Sequence, residues 1–461
     1  MLIASVEFRS RIVKLWEKGY QIDKMVEKYM TGDDPVLDKV LIEYDCLGSM
    51  AHAKMLAKIG VLTILEAEQI TSALSNIIQL AKTGDFTIHF DDEDVHTAVE
   101  NALTRELGDL GKKLHTARSR NDQVILDLRL YAKDQIIGVV SEIIKVCETL
   151  CQFSNKHQAV PMPGRTHFQR AMPSSVGLWS LAFAESMLDN ISLLQSAYQL
   201  IDQCPLGSAS SYGVSLEIDR EYTAQLLGFS RVQNNVLYAN NSRGKFEAVI
   251  LNACVQIMSD LSKIATDIIL FCAPEFGYLI LPEKFCPGSS LMPQKRNPCP
   301  LELMRAKSAT TQGLLFQVLE IIRGLPSGYN RDFQETKRPL MQGFEITLAS
   351  LAVFRTVFAE IEVNKAQCVG SFTAELFATD KVLDLVKEGI PFREAYRQVG
   401  TSLDRVDCLD PAENILSKTH QGATGNLGVT LSEQRIQYYS QWVTETSQQI
   451  AKSKEALFSV S

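Results

Sequence analysis

The chain is short of basic charge: 46 Lys and Arg stand against 54 Asp and Glu in 461 residues, a formal net charge of −8. Acids and bases are spread along its length, so no broad electropositive field is available to DNA or RNA. Nucleic acid is not an expected partner, and an anionic ligand must be met by a few clustered cations. Long hydrophobic runs of membrane-spanning length are lacking as well, and the start, Met1-Leu2-Ile3-Ala4-Ser5-Val6-Glu7-Phe8-Arg9, has no basic-then-apolar order of a secretion signal. The expectation is a soluble, cytoplasmic protein without membrane association. There is no glycine fingerprint after a strand, no phosphate loop, no paired CxxC and no HExxH, which removes support for the common nucleotide and zinc enzymes. The ten cysteines are scattered, and Cys147 and Cys151, four apart in a helical pattern, read as reduced core residues.

What is present is a large apolar content, 46% of residues, arranged at helical spacing. Several stretches run without Gly or Pro for longer than an ordinary helix. From Lys245 to Cys272, apolar residues fall at Ile250, Cys254, Ile257, Leu261, Ile264, Ile268 and Phe271, alternating steps of four and three. That is the seam of a helix packed nearly parallel to its neighbours. Leu178 to Ile201 repeats the pattern through Leu181, Ala184, Leu188, Ile191, Leu194, Tyr198 and Ile201, while 123–160 and 344–368 are further candidates. An all-α fold built on a long-helix central bundle follows, in three regions: a mixed, mostly helical part at 1–112, the bundle at 113–363 and a smaller helical part at 364–461. Helices of this length suggest a core shared between subunits.

Polar connections rich in Gly and Pro separate the long helices, at 114–122, 162–173, 205–213, 282–300 and 324–337. Binding and catalytic groups belong on such segments. The most informative reads Gly288-Ser289-Ser290-Leu291-Met292-Pro293-Gln294-Lys295-Arg296-Asn297-Pro298. It is either a solvated loop before a helix or a hydroxyl-bearing loop with cations close by.

This string resembles the signature of the aspartase/fumarase superfamily, whose members eliminate fumarate from succinyl compounds. Within it, the argininosuccinate lyases are resembled by four further strings in the same order: Asp92-Glu93-Asp94-Val95-His96-Thr97, His115-Thr116-Ala117-Arg118-Ser119-Arg120-Asn121-Asp122-Gln123, Gly164-Arg165-Thr166-His167-Phe168-Gln169-Arg170, and Leu325-Pro326-Ser327-Gly328-Tyr329-Asn330-Arg331-Asp332-Phe333-Gln334. The resemblance implies reversible cleavage of argininosuccinate to arginine and fumarate, serving arginine biosynthesis, with no metal or organic cofactor. It also implies a homotetramer with a 20-helix core and sites shared by three subunits. A related lyase acting on another N-succinyl amine, of the ethylenediamine-disuccinate type, is the alternative, and a non-catalytic, crystallin-like structural protein is a third reading.

Breaking a carbon–nitrogen bond by β-elimination requires a base for a weakly acidic C–H, a clamp for the carboxylate that takes up the carbanion's charge, and an acid for the leaving nitrogen. The resemblance makes Ser289 the base, whose alkoxide needs backbone N–H groups and nearby cations. Lys295 and Asn297 hold the carboxylate where charge develops. His167 becomes the acid or part of its relay, with Glu302 as its paired carboxylate. Arg120 and Asn121 grip substrate carboxylates, Arg120 with a two-pronged contact, and Ser119 and Thr166 add hydroxyl donors. Tyr329, Gln334 and Lys337 fall at substrate-binding positions, with Lys337 suited to the carboxylate of the amino-acid half. Asp94 and His96 belong to the rim. A metal at His96 is not expected, because the acidic run before it suits a helix N-terminus.

The resemblance frays in two places. Argininosuccinate lyases usually carry Trp-Gly-Gly-Arg-Phe near the start, followed by a substrate-contacting serine. Here the string is Trp16-Glu17-Lys18-Gly19-Tyr20, and Asp34 falls at the serine position, with Asp38 retained. An added carboxylate disfavours an anionic group and suits a cation. The acidic residue usual after Arg243 is also replaced, in Asn240-Asn241-Ser242-Arg243-Gly244-Lys245.

Overall fold

The computed structural model describes residues 22–459. The 16–20 string and the first nine residues lie outside that range. Most described elements are helices: after short helices at Lys24–Thr31 and Asp34–Leu37 come α1 (Ile42–Lys58), α2 (Ile64–Thr83), α3 (Val95–Leu107) and α4 (Arg120–His157). A hairpin of β1 (Pro161–Thr166) and β2 (Gln169–Ser175) follows, then α5 (Val176–Ile201), α6 (Lys245–Cys272), α7 (Cys299–Ile322) and α8 (Lys337–Phe358). The C-terminal part holds α9 (Ala378–Lys387), α10 (Phe392–Gly400) and α11 (Val429–Phe458).

The bundle consists of α4 to α8, with α4 against α5, α6 against α7, and α8 set against α4, α6 and α7. Every residue of the two seams read from the sequence is buried, from Ile250 to Phe271 on α6 and from Leu181 to Ile201 on α5. By length and composition α6 belongs to a segment apolar enough to cross a membrane, contrary to the expectation of no such run. Its apolar stripe is instead occupied by the neighbouring helices, as the buried seam requires. Between α5 and α6, Ser186 and Asn190 both donate to Asp260 at 2.7 Å, which satisfies a polar pair inside the interface. The helix expected over 344–368 begins earlier and stops at Phe358, and a short pairing of Glu362–Val363 with Leu279–Ile280 follows it.

The main apolar cluster runs from Leu41 to Leu457 and includes α11, which packs on α4 and α5. A second, small cluster of Phe377, Val382, Ala395, Val399 and Val406 belongs to α9, α10 and their flanks. All ten cysteines are free, and Cys147 and Cys151 are buried.

Helix direction decides where the connections lie. The long helix α4 starts at Arg120 and, at 1.5 Å per residue, ends roughly 57 Å away, just before the hairpin. Returning, α5 brings the chain back; α6 then leads to the segment before Ser289, and α7 carries it back to 324–337. Consequently the 114–122, 240–244 and 324–337 connections share one end of the bundle. The hairpin and the 282–298 loop share the other, where Arg165 donates to the Tyr278 hydroxyl at 3.1 Å and lies over the Phe276 ring.

Candidate active site

At the first end, an open cavity is lined by Asp34, Asp38, Asp94, His96, Arg120, Asn121, Val124, Arg243, Tyr329, Arg331, Gln334 and Lys337. Seven of the fourteen residues proposed from the sequence therefore meet in one place: Asp94, His96, Arg120, Asn121, Tyr329, Gln334 and Lys337.

Local sequence explains how they are presented. Asp94 caps α3, accepting the Thr97 N–H at 2.9 Å and its hydroxyl at 2.8 Å, while its other oxygen takes the Arg120 guanidinium at 2.9 Å. Ser119 and Asp122 form a capping box at the start of α4, in which Ser119 Oγ accepts the Asn121 N–H at 3.3 Å and its own O–H stays available as a donor. Buried Asp122 also accepts N–H groups of Gly207 and Ala209 at 3.0 and 2.9 Å, which ties the 205–213 connection to this helix end. Thus one acidic side chain positions two connections.

The 30–38 segment is fastened across the 329–337 segment. Arg331 and Gln334 donate to the Met30 carbonyl at 2.7 and 3.1 Å, and Arg338 pairs with Asp33. Lys337 is buried, with its ammonium 2.9 Å from Asp34 and also bonded to Asp38. Desolvation works against its charge, but the two carboxylates outweigh it and raise its pKa. Burial raises that of Asp38. Lys337 faces the cavity as expected, but the partners it already holds are protein carboxylates.

Behind the cavity wall, His96 Nδ1 lies 2.7 Å from Asp45 and 3.7 Å from Asp127. Burial opposes a charged imidazole, yet Asp45, Asp127 and Asp94 raise its pKa to about 9. Desolvation pushes the Asp127 carboxyl well up. His96, Asp45 and Asp127 could hold a cation by composition, but the short Nδ1 contact with Asp45 already accounts for the imidazole as a charged hydrogen-bond donor. Asp45 and Asp127 were not singled out from the sequence. The available signal was spacing: Asp127 follows Arg120 by seven, two turns along the same face of α4.

Arg243 reaches the site. It lines the cavity, donates to the Phe333 carbonyl at 2.7 Å and lies 3.5 Å from Glu247. Its neighbour Asn241 accepts the Gly328 N–H at 2.8 Å, so the irregular 240–244 stretch supports the 327–329 turn. Gly328 adopts φ 95°, and a Cβ there would meet the Tyr212 hydroxyl at 3.4 Å.

Ser289, Lys295, Asn297, Glu302, Thr166 and His167 do not line this cavity. In the 286–298 loop, the backbone N–H groups of Leu291 and Met292 donate to Ser289 Oγ at 3.3 and 3.1 Å. The loop is closed on itself: the Asn297 N–H reaches Pro287, its side-chain amide donates to Gly288 at 3.4 Å, and the Lys295 N–H reaches Met292 at 3.1 Å. Lys295 is exposed, and Glu302 stands exposed on the first turn of α7. His167 and Phe168 form the hairpin tip, both with positive φ, 51° and 60°, and both exposed. Such a two-residue turn matches the twist of its strands but is strained for residues with a side chain. Thr166 pairs with Gln169 across the turn.

A family described as Lyase matches residues 18–313. The argininosuccinate lyase of Thermotoga neapolitana is 44% identical across 85% of this chain and 98% of its own length. That of Sorangium cellulosum is 40% identical across 90% and 97%. Among solved structures, an EDDS lyase in complex with formate superposes with a TM-score of 0.81 at 23% identity, covering 95% of both chains. Class II fumarase from Schistosoma mansoni gives 0.69 at 15%, covering 86% of this chain and 95% of that one. The structural likenesses establish the aspartase/fumarase-type fold, and the sequence identities carry the finer assignment: this chain belongs to the argininosuccinate lyase family.

Proposed function

We propose that the protein cleaves argininosuccinate reversibly to arginine and fumarate, in a cytoplasmic homotetramer whose sites each draw on three subunits. One observation carries the reading: the five motif connections are complete, yet they stand in two groups at opposite ends of the bundle. Separated by about 40 Å of helix, the two groups cannot form one site within a chain, and a site containing both needs the opposite end of another subunit. The α7 helix supports such an assembly, because Leu303, Phe316 and Leu319 are exposed along it.

In this reaction Ser289 takes a proton from the carbon beside a carboxylate of the succinyl half. The electron pair moves onto that carboxylate, where Lys295 and Asn297 oppose the developing charge. It then returns to form the carbon–carbon double bond as the carbon–nitrogen bond breaks. His167, with Glu302 as its counter-ion, delivers the proton that the departing guanidino nitrogen needs. The two backbone N–H groups directed at Ser289 Oγ are the kind of donors that favour an alkoxide, and Thr166 stands ready beside His167. Arg120, Asn121, Ser119, Asp94, His96, Tyr329, Gln334 and Lys337 hold the substrate or orient groups that do.

A second reading, a lyase for another N-succinyl amine, is favoured by one feature, the Asp34 carboxylate against Lys337. Incubating the purified protein with argininosuccinate and following fumarate by ultraviolet absorbance tests the first reading. Running the reaction backward with fumarate and a panel of amines separates the two. A clear preference for a diamine over arginine would overturn the first.

A further inference from the structure

The cavity contains more matched charge than its cations first suggest. Lys337 is held by Asp34 and Asp38, Arg120 by Glu93 and Asp94, and Arg243 lies beside Glu247. Each of these cations already faces protein carboxylates at close range, and a carboxylate of the substrate would compete with them. Arg331 differs. It lines the same cavity, is exposed and donates to the Met30 carbonyl, and among the described residues no carboxylate lies within ion-pair distance of it.

Asp34 is the residue that changes the balance at Lys337. With Asp38 alone, the buried ammonium and one carboxylate would cancel. With Asp34 as well, one ammonium faces two carboxylates, leaving an excess of negative charge in that corner. A low-dielectric corner of this kind attracts an ammonium or guanidinium and repels a carboxylate.

We infer that Asp34 and Arg331 are specificity-determining residues for the amine half of the substrate: Asp34 sets a corner that takes its cationic group, and Arg331 receives its carboxylate. The assignment rests on the lyase reading above for the identity of that half, and it divides between two residues a task that Lys337 alone would otherwise perform. Arginine and agmatine test it, because they differ only in the carboxylate.

Calorimetric titration of each amine into the intact protein measures the ratio of their dissociation constants without requiring turnover. In Asp34→Asn, loss of the repelling charge should shift that ratio toward arginine by about fivefold or more. In Arg331→Gln it should shift toward agmatine by a similar factor, the size expected when one charge beside a bound carboxylate is removed. Arg331 also bonds the Met30 carbonyl, a tie that Gln334 shares, so circular dichroism and thermal midpoints check that both variants keep the fold. A ratio that stays within about twofold of the native value, or moves the other way, overturns the role given to that residue, as does failure of either amine to bind the native protein. Fumarate consumption with the same amines is scored separately: binding ratios that shift as expected without turnover leave the specificity assignment standing and remove the lyase reading.

Discussion

His96 Nδ1 lies 2.7 Å from Asp45 Oδ1 and 3.7 Å from Asp127 Oδ2, in a buried cluster shared by α1, α3 and α4. A buried imidazole is ordinarily driven to its neutral form, and here the carboxylates reverse that. Because its folded pKa, about 9, lies above the usual 6.5, its charge stabilises the fold fully below about pH 6.5. The contribution is lost as pH rises through about 9. Urea midpoints measured from pH 6 to 10 should fall across that window in the native protein, and the fall should be shallower in His96→Asn. A parallel slope in the variant would contradict the charged-imidazole account.

Ser289 receives two backbone N–H groups, at 3.3 and 3.1 Å, in an otherwise exposed loop. Removing its hydroxyl should lower kcat for fumarate formation by about 10³-fold or more while leaving the thermal midpoint within a degree or two. Turnover near the native level in Ser289→Ala would remove it from the chemistry.

Separation of the two motif groups along the bundle predicts complementation. Ser289→Ala disables one end and Asn121→Ala the other, and each alone should be nearly inactive. If one site takes its loop and its cavity from different chains, dissociating the two variants and reassembling them at equal ratio restores about a quarter of the sites. No recovery in mixed oligomers verified by native mass spectrometry would show that the two ends do not meet between subunits.

Gly177 lies where α5 crosses the end of α4. An added Cβ would sit 2.5 Å from the Gln158 Cα and 2.9 Å from the Ser154 carbonyl, both backbone. Ser154 also donates to the Gly177 carbonyl at 2.9 Å. Gly177→Ala should therefore destabilise the protein by about 1–3 kcal/mol, because backbone has no rotamer with which to yield. It should also disturb the hairpin carrying His167, which lies between these two helices in the chain. Denaturation midpoints and kcat measured on the same preparation check both effects.

Long helices and their buried faces were legible because apolar spacing is a local property of the chain, and the α5 and α6 seams are buried residue for residue. The five connections were legible for a related reason: helices of this length leave Gly- and Pro-rich segments as the places where polar groups can converge. The hairpin at His167 was not marked as strands, since its turn depends on two residues with side chains adopting positive φ. The end of α8 was placed ten residues too late because the apolar pattern continues past Phe358 into the segment that pairs at Val363.

By itself the sequence determined an acidic, helix-rich lyase, since residue types and their order suffice for that. Which connections share an end of the bundle was decided only by the tertiary structure, through the alternating direction of helices far longer than a side chain can reach. It also decided the state of the cations. Asp34 and Lys337 are some three hundred residues apart in the chain, and only folding brings them to 2.9 Å, where burial makes their charges count.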